Sequence, residues 1–106
     1  MNTCMIYTAV GGPEEARKLA KMLVSEQLVA CVNIVDGATS VYRWEGKVQS
    51  SEESLLIAKT TNAQRDTAIE RLNDLHSYDT PCIVAYDMSA GVPEYLNWLA
   101  SETGSS

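Results

Sequence analysis

The protein is a chain of 106 residues in which 14 acidic and 8 basic side chains give a formal net charge of −6 at pH 7. A chain of this length forms one domain, residues 1–106, and its acidic balance without a lysine or arginine run argues against nucleic acid as a partner. Its three cysteines, Cys4, Cys31 and Cys82, contain no CxxC pair, which argues against a disulfide framework or structural zinc site and predicts reduced thiols.

The first predicted elements are a strand and a helix. Residues 4–10, CMIYTAV, are apolar or β-branched and stop at Gly11-Gly12, which is typical of a strand followed by a turn. A helix follows from Pro13, because proline suits the first helical turn and Glu14 and Glu15 favour the positive end of the helix dipole. One face of this helix carries Ala16, Leu19, Ala20 and Leu23.

A long hairpin is predicted next. Residues 28–35 have the composition of a strand, Asp36-Gly37 indicates a turn or bulge, and residues 39–44 continue in extended form. Glu45-Gly46 is the expected hairpin tip, and residues 54–60 form the return strand. Two interpretations of Trp44, which precedes the tip, are open: it staples the hairpin, or it walls a binding site.

The second half of the chain predicts a helix, a strand and a short final helix. Thr61 and Gln64 have the spacing of a capping box, and the helix should end near His76. The inner face of this helix carries Ala68, Ile69, Leu72 and Leu75. Residues 81–88 predict the fourth strand, and Pro93 begins the last helix. That last helix carries Tyr95, Leu96, Trp98 and Leu99.

The element order β-α-β-β-α-β with a further C-terminal helix predicts the α+β class. It is the order of a ferredoxin-like split βαβ sandwich, in which right-handed crossovers place two helices on one sheet face. Three of the strand segments, residues 4–10, 31–35 and 54–58, are apolar at odd and even positions alike, so the other sheet face must also be covered. We expect another subunit to cover it; the alternative is a monomer in which the last helix suffices.

Each candidate site residue has a structural alternative. His76, the only histidine, would be a proton carrier, a metal ligand or the C-cap of its helix. Cys31 fits a small buried hydrophobe better than a nucleophile. Lys59 is a solvated strand end, an ion-pair partner of Glu52 or Glu53, or a charge directed at a cleft. Large rings with polar groups suit interfaces and pocket walls as well as cores. Five of the seven such rings are candidates: Tyr42, Trp44, Tyr78, Tyr95 and Trp98.

Five segments together resemble the CutA divalent-cation tolerance family. They are ACVNI, GATSVYRWEGKV, ESLLIAKT, HSYDTP and YLNWL, in the order and near the spacing of that family, and the match runs from residue 7 to residue 100. The resemblance implies a tight homotrimer of ferredoxin-like subunits, in which each long hairpin reaches a neighbour and a cleft forms at each subunit junction. By the same resemblance that cleft is lined by Cys31, Trp44, Lys59, His76, Tyr78, Tyr95 and Trp98.

The resemblance also implies metal chemistry. Family members are associated with tolerance to copper and other divalent cations. In bacterial members, the proposed copper ligands are a cysteine at the end of the first strand and two adjacent histidines at the end of the second helix. Here Tyr7 stands in for the cysteine and Leu75-His76 for the pair. His76 is therefore the one predicted metal ligand, and two alternatives for the cofactor stay open: a divalent ion such as copper, or none.

The predicted function is a homotrimeric, non-enzymatic protein of divalent metal ion tolerance. The alternative is a trimeric sensor of a small metabolite, similar in architecture to the PII signalling proteins, with a small anionic ligand in the cleft. An acylphosphatase-like enzyme fits poorly, because Glu14 and Glu15 would repel an anion at the helix start. A copper chaperone would need a CxxC after the first strand, where the sequence has AVGGP.

The sequence also predicts where the protein acts. It has no uninterrupted apolar run of about 18 residues, and its first residues lack the pattern of a secretory segment. We therefore expect a cytoplasmic protein without a membrane partner. Its expected partners are copies of itself and a divalent cation or small anionic ligand.

Overall fold

Four strands and three helices follow one another in the predicted order, in a computed structural model that describes residues 2–104. The elements are β1 (Thr3–Val10), α1 (Pro13–Ser25), β2 (Cys31–Trp44), β3 (Lys47–Thr61), α2 (Asn62–Leu75), β4 (Ile83–Asp87) and α3 (Pro93–Ser101). No helix among these residues is long and apolar enough to cross a membrane.

The strands form one antiparallel sheet in the order β2-β3-β1-β4. β1 lies in the middle, where it pairs with β3 on one side and β4 on the other. α1 lies in the connection from β1 to β2, and α2 lies in the connection from β3 to β4. Both helices pack against the same sheet face. This arrangement confirms the predicted ferredoxin-like α+β sandwich.

The core lies between the sheet and these two helices. Successive side chains of a strand point to opposite faces, so alternate strand residues meet the helices. The largest core side chains with almost no solvent exposure are Ile6 and Val10 of β1, Leu56 of β3, Leu19 and Leu23 of α1, and Leu72 of α2. Truncating one such leucine to alanine typically costs about 2–5 kcal/mol of stability.

The opposite sheet face, called the open face below, is apolar as well. Tyr7 of β1 lies between Ile57 of β3 and Val84 of β4 in the strand register. Further apolar side chains on this face are Val35, which is 48% exposed, and Tyr86, which is 58% exposed. α3 covers only the end of the open face near Cys31 and Lys59, with which Tyr95 is in contact. The prediction that both sheet faces are apolar is therefore confirmed.

The β2-β3 hairpin is longer than predicted, because β3 begins at Lys47 and not at residue 54. Residues 47–53 are mostly polar and give no apolar pattern, but they pair with β2 as far as Trp44 opposite Lys47. The hairpin turns at Glu45 and Gly46, whose φ angles of 51° and 78° are left-handed at both central residues, as in a type I′ turn. The predicted tip is thereby confirmed.

A bulge interrupts β2 between Val35 and Ala38, where the sequence predicts a turn or bulge. Gly37 adopts a φ of 73°, which glycine reaches without a side-chain clash. The Ser54 hydroxyl donates a 2.8 Å hydrogen bond to Asp36 Oδ1 and fixes the bulge to β3. Residues on either side of the bulge therefore belong to one continuous strand.

The ends of α2 fit the prediction in position but not in every contact. Thr61 is the N-cap, yet its side chain makes no capping hydrogen bond. Thr61 is still paired with Thr3 in the sheet, and the Gln64 side chain lies against Gly104, so the two partners of the predicted capping box are held elsewhere. At the other end His76 is the C-cap, and its backbone N–H donates to Leu72 O.

Candidate functional site

Four of the seven predicted cleft residues meet where α3 crosses the open face. Cys31 and Lys59 are opposite each other in the β2-β3 ladder. The Tyr95 hydroxyl lies 3.6 Å from Cys31 Sγ, and the Lys59 ammonium lies 5.8 Å from the centre of the Tyr95 ring. Trp98 follows one turn later along α3, with its ring centre 5.7 Å from that of Tyr95. We call these four residues the α3 cluster.

The α3 cluster has one cation beside two aromatic rings. None of the ion pairs formed within residues 2–104 involves Lys59, so neither Glu52 nor Glu53 is its partner. Of the three interpretations of Lys59, the solvated strand end and the charge directed at a cleft therefore stay open. Burial and the contact with Cys31 raise the pKa of Tyr95 to about 12, which keeps its hydroxyl protonated at neutral pH.

His76 lies apart from the α3 cluster, at the junction of α2 with the end of β1. Its side chain has 0% solvent exposure. Nε2 is 2.9 Å from the carbonyl oxygen of Ala9, and Nδ1 is 3.1 Å from the backbone nitrogen of Tyr78. A carbonyl can only accept and a backbone N–H can only donate, so Nε2 carries the proton and Nδ1 accepts. Both ring nitrogens are therefore used within the subunit.

Glu15 reaches the same junction from the first turn of α1. Its carboxylate accepts a 2.8 Å hydrogen bond from the Ser77 hydroxyl and a 3.0 Å bond from the Ser77 backbone N–H. Burial opposes ionisation, but the two bonds from Ser77, with a smaller contribution from the Gly11 backbone, lower the pKa of Glu15 below its usual value. Its 3.9 Å distance to His76 Nδ1 is not an ion pair, because Nδ1 accepts the Tyr78 proton.

Tyr78 connects this junction to the open face. Its ring centre is 4.7 Å from that of His76, and its hydroxyl donates a 2.8 Å hydrogen bond to Glu53 Oε2. Burial, followed by the bond to Glu53 and the charge of that carboxylate, raises the pKa of Tyr78 to about 12. Tyr78 is thus held with one side against the protein and with 39% of its surface exposed.

A pocket of about 430 Å³ opens beside Tyr78, and the sequence did not predict it as a unit. Three tyrosines line it, Tyr7, Tyr42 and Tyr78, together with Glu53, Cys82 and small side chains. We call it the tyrosine pocket. Its residues come from β1, both arms of the hairpin and the segment before β4, so no local motif signals their convergence.

Trp44 is 59% exposed at the hairpin tip. Its partner in the ladder, Lys47, is twelve positions before Lys59 on β3, which corresponds to roughly 40 Å at about 3.3 Å per residue. One subunit therefore does not bring Trp44 to the α3 cluster. The implication of the resemblance that Trp44 lines a cleft at a subunit junction stays a prediction.

Metal-ligating side chains are scattered across residues 2–104. No three or more of the histidine, cysteine, aspartate and glutamate side chains in this range are grouped so that they could hold a metal ion. The three cysteines are free thiols, buried at Cys4, half-buried at Cys31 and exposed at Cys82. The prediction that His76 binds a metal stays a prediction, and it requires His76 to release Ala9 O or the Tyr78 N–H.

Comparison with known families shows a match that extends over nearly the whole chain. Residues 4–102 match the model of the CutA1 divalent ion tolerance protein family. The chain is 47% identical over 100 residues to the divalent-cation tolerance protein CutA of Thermus thermophilus, covering 94% of this chain and 97% of that protein. It is 46% identical over 99 residues to the chloroplastic protein CutA of Arabidopsis thaliana, covering 93% of this chain and 54% of that longer protein.

Solved structures agree with the sequence comparison. The crystal structure of CutA1 from Oryza sativa superposes with a TM-score of 0.96 at 42% identity, covering 100% of this chain and 97% of that one. The divalent cation tolerance protein from Thermus thermophilus superposes with a TM-score of 0.93 at 46% identity, covering 96% and 99% of the two chains. The similarity therefore extends over sequence and fold together.

Proposed function

The chain belongs to the CutA1 divalent ion tolerance protein family, and we propose that it serves divalent-cation tolerance as a homotrimer with a ligand site at each subunit junction. The observation that carries this proposal is the open face. It is apolar in β1, β3 and β4 and only partly covered by α3. A contiguous apolar surface of this kind supports association with further copies of the chain.

Sedimentation velocity tests the assembly. We expect the wild-type protein to sediment as a single species of three subunits. Tyr86→Glu places a charge on the open face and should shift the population towards smaller species, while Glu70→Gln, an exposed change on the helical side, should leave it unchanged. A monodisperse wild-type monomer would remove the basis for a junction site.

Copper is the metal that we propose for the junction, with His76 as a ligand. The tolerance function of the family supports a divalent cation, and an imidazole nitrogen is a suitable ligand for copper. Because His76 donates to Ala9 O and accepts from Tyr78, a coordinating His76 must give up one of these bonds. Other subunits of the trimer would supply the remaining ligands.

Isothermal titration of Cu(II) and Zn(II) into the wild type and His76→Ala tests the metal site. We expect saturable copper binding that weakens by roughly tenfold or more in the variant. Cys31→Ser, measured in parallel, reports whether the α3 cluster also supplies a ligand. Equal affinity of the wild type and His76→Ala would exclude His76 as a ligand.

A trimeric small-metabolite sensor is the second candidate function. The α3 cluster favours it, because Lys59 is a cation without a carboxylate partner in the described chain and lies against the Tyr95 ring. A small planar anion would satisfy both features. Thermal shifts with a panel of metals and anionic metabolites separate the candidates, since only a bound ligand stabilises the folded protein.

We further propose that the role is non-enzymatic and cytoplasmic. His76 bonds two backbone groups, and none of the described thiols has it as a hydrogen-bond partner, which supports a binding role over nucleophilic catalysis. Three free thiols support a reducing compartment. Cell fractionation with a marker for each compartment tests the location.

A further inference from the structure

We propose that Glu15 is a second ligand of the metal ion bound by His76, and that Nδ1 is the histidine nitrogen that coordinates this ion. This assignment rests on the metal site proposed above and states how that site is built. Both residues belong to the same subunit, and Glu15 approaches His76 from the first turn of α1, on the helical side of the sheet. A carboxylate thereby joins a ligand set in which the sequence predicted only His76.

The hydrogen bonds of His76 select Nδ1 as the coordinating atom. Nε2 carries the proton and donates it to the carbonyl oxygen of Ala9 at 2.9 Å. A histidine that binds a metal typically donates its other ring N–H to a carboxylate or a backbone carbonyl, which fixes the tautomer. Coordination through Nδ1 keeps the Ala9 bond and gives up only the 3.1 Å bond from the Tyr78 N–H. Coordination through Nε2 would break both bonds, because a proton moved to Nδ1 could not face the Tyr78 N–H.

Glu15 lies at a suitable distance from Nδ1. Its Oε2 is 3.9 Å from that nitrogen, and among residues 2–104 no other carboxylate is an ion-pair partner of His76. A metal such as zinc lies about 2 Å from its nitrogen and oxygen ligands, so two ligands of one ion are roughly 3–4 Å apart. The two bonds from Ser77 hold the carboxylate in place and leave lone pairs on its oxygens free for a cation.

A pocket on the helical side gives an ion access to this pair. The His76 side chain has 0% solvent exposure, but that of Glu15 has 23%. Glu15 and Ser77 line a pocket of about 430 Å³ between α1 and the end of α2. Its other lining residues are Glu14, Lys18, Leu19 and Leu75. Two carboxylates against one lysine attract a cation. Because α1 and the end of α2 form this pocket, it stays accessible when other copies of the chain cover the open face.

Calorimetric titration of Cu(II) and Zn(II) into the native oligomer tests Glu15, since imidazole and carboxylate ligands suit both ions. Glu15→Gln should weaken binding by roughly tenfold or more. Glu14→Gln removes an equal charge from the same pocket without approaching His76, and it should leave the affinity within about threefold. Equal affinity of the wild type and Glu15→Gln would overturn the role of Glu15. Absence of saturable binding by the wild type would overturn the metal site as a whole.

Ser77→Ala distinguishes a ligand from a carboxylate with a purely structural role. It removes the hydroxyl that donates to Glu15 but keeps the carboxylate and the backbone N–H bond. Metal affinity should therefore fall much less in Ser77→Ala than in Glu15→Gln. Circular dichroism at the temperature of the titration verifies that each variant is folded. Equal losses of affinity in the two folded variants would overturn the assignment of Glu15 as a ligand.

NMR of the zinc-bound protein tests the choice of nitrogen. Zn(II) is diamagnetic, and long-range proton–nitrogen correlations identify the ring nitrogen that carries the proton. We expect Nε2 of His76 to stay protonated in the free and the zinc-bound protein, because the Ala9 bond is kept. The amide signal of Tyr78 should shift on zinc binding, because its bond to Nδ1 is lost. A proton on Nδ1 in the zinc-bound protein would overturn the assignment of that nitrogen.

Discussion

His76 Nε2 donates a 2.9 Å hydrogen bond to the backbone carbonyl of Ala9, 67 residues away in the chain. This bond joins the C-terminus of α2 to the end of strand β1. Nδ1 accepts a hydrogen bond from the backbone N–H of Tyr78 and so holds that residue in place. The one histidine of the protein is therefore a structural link in the isolated subunit.

The first prediction concerns the stability that this link contributes. His76→Ala removes both hydrogen bonds and leaves a cavity, so we expect a loss of about 2–4 kcal/mol in the free energy of unfolding. His76→Gln retains an amide donor for Ala9 O and should lose less. Urea denaturation at fixed protein concentration measures both. Identical midpoints for the wild type and His76→Ala would contradict the structural role.

The second prediction concerns pH and Glu15. Because the folded pKa of Glu15 lies below its ordinary value of 4.5, its contribution to stability is present above pH 4.5 and is lost as the pH falls through the folded pKa. Glu15→Gln should therefore be less stable than the wild type at pH 7, and the difference should shrink in acid. Unfolding midpoints between pH 7 and pH 3 test this.

Glu14→Gln is the matched control for that comparison at pH 7. It removes a carboxylate from the same first turn of α1 at an exposed position, without touching Ser77. A loss of stability in Glu15→Gln well above that in Glu14→Gln assigns the difference to the Ser77 bonds. Equal losses would assign it to the helix dipole alone.

The third prediction concerns the tyrosines. Burial with the Glu53 bond raises the pKa of Tyr78 to about 12, and burial with the Cys31 contact does the same for Tyr95. In an absorbance titration of tyrosinate, Tyr78→Phe and Tyr95→Phe should each remove one late transition. Because the unfolded hydroxyls ionise first, the stability from these groups is present below pH 10 and is lost as the pH rises towards 12.

The fourth prediction contrasts two buried threonines on the helix-facing side of the sheet. Among residues 2–104 the Thr8 hydroxyl finds no hydrogen-bond partner, whereas the Thr60 hydroxyl donates a 2.7 Å bond to Leu28 O. Thr8→Val should therefore raise the free energy of unfolding by about 1 kcal/mol, while Thr60→Val should lower it by about 1–2 kcal/mol. Chemical denaturation of the pair tests the sign of each change.

The fifth prediction concerns Trp44 and the proposed trimer. A Trp98→Phe variant leaves Trp44 as the only tryptophan. Trp44 is 59% exposed in the subunit, so burial by a neighbour should make its fluorescence less accessible to acrylamide than that of free tryptophan. Dilution that dissociates the assembly should restore quenching. Full quenching at every concentration would place Trp44 outside the junction.

The sequence by itself determined the order of the elements and several of their ends. Apolar periodicity is a local property, so the strands, both crossover helices and the end of α2 before His76 could be read directly. Glu45-Gly46 was predicted as the hairpin tip because glycine suits left-handed turn positions. The apolar residues on both sides of the strands predicted that the open face is apolar, because a strand that is buried on both faces carries apolar residues at odd and even positions alike.

Only the tertiary structure decided which side chains meet. Nothing near His76 in the sequence indicates that Ala9 O occupies its Nε2, because backbone acceptors carry no residue-type signal. Likewise Glu53 and Tyr78 meet only through the sheet register and the position of α2. The local pattern of apolar residues predicts which side of each segment is buried. Hydrogen-bond partners and pockets depend instead on contacts between distant segments. Those contacts exist only once the sheet order is fixed.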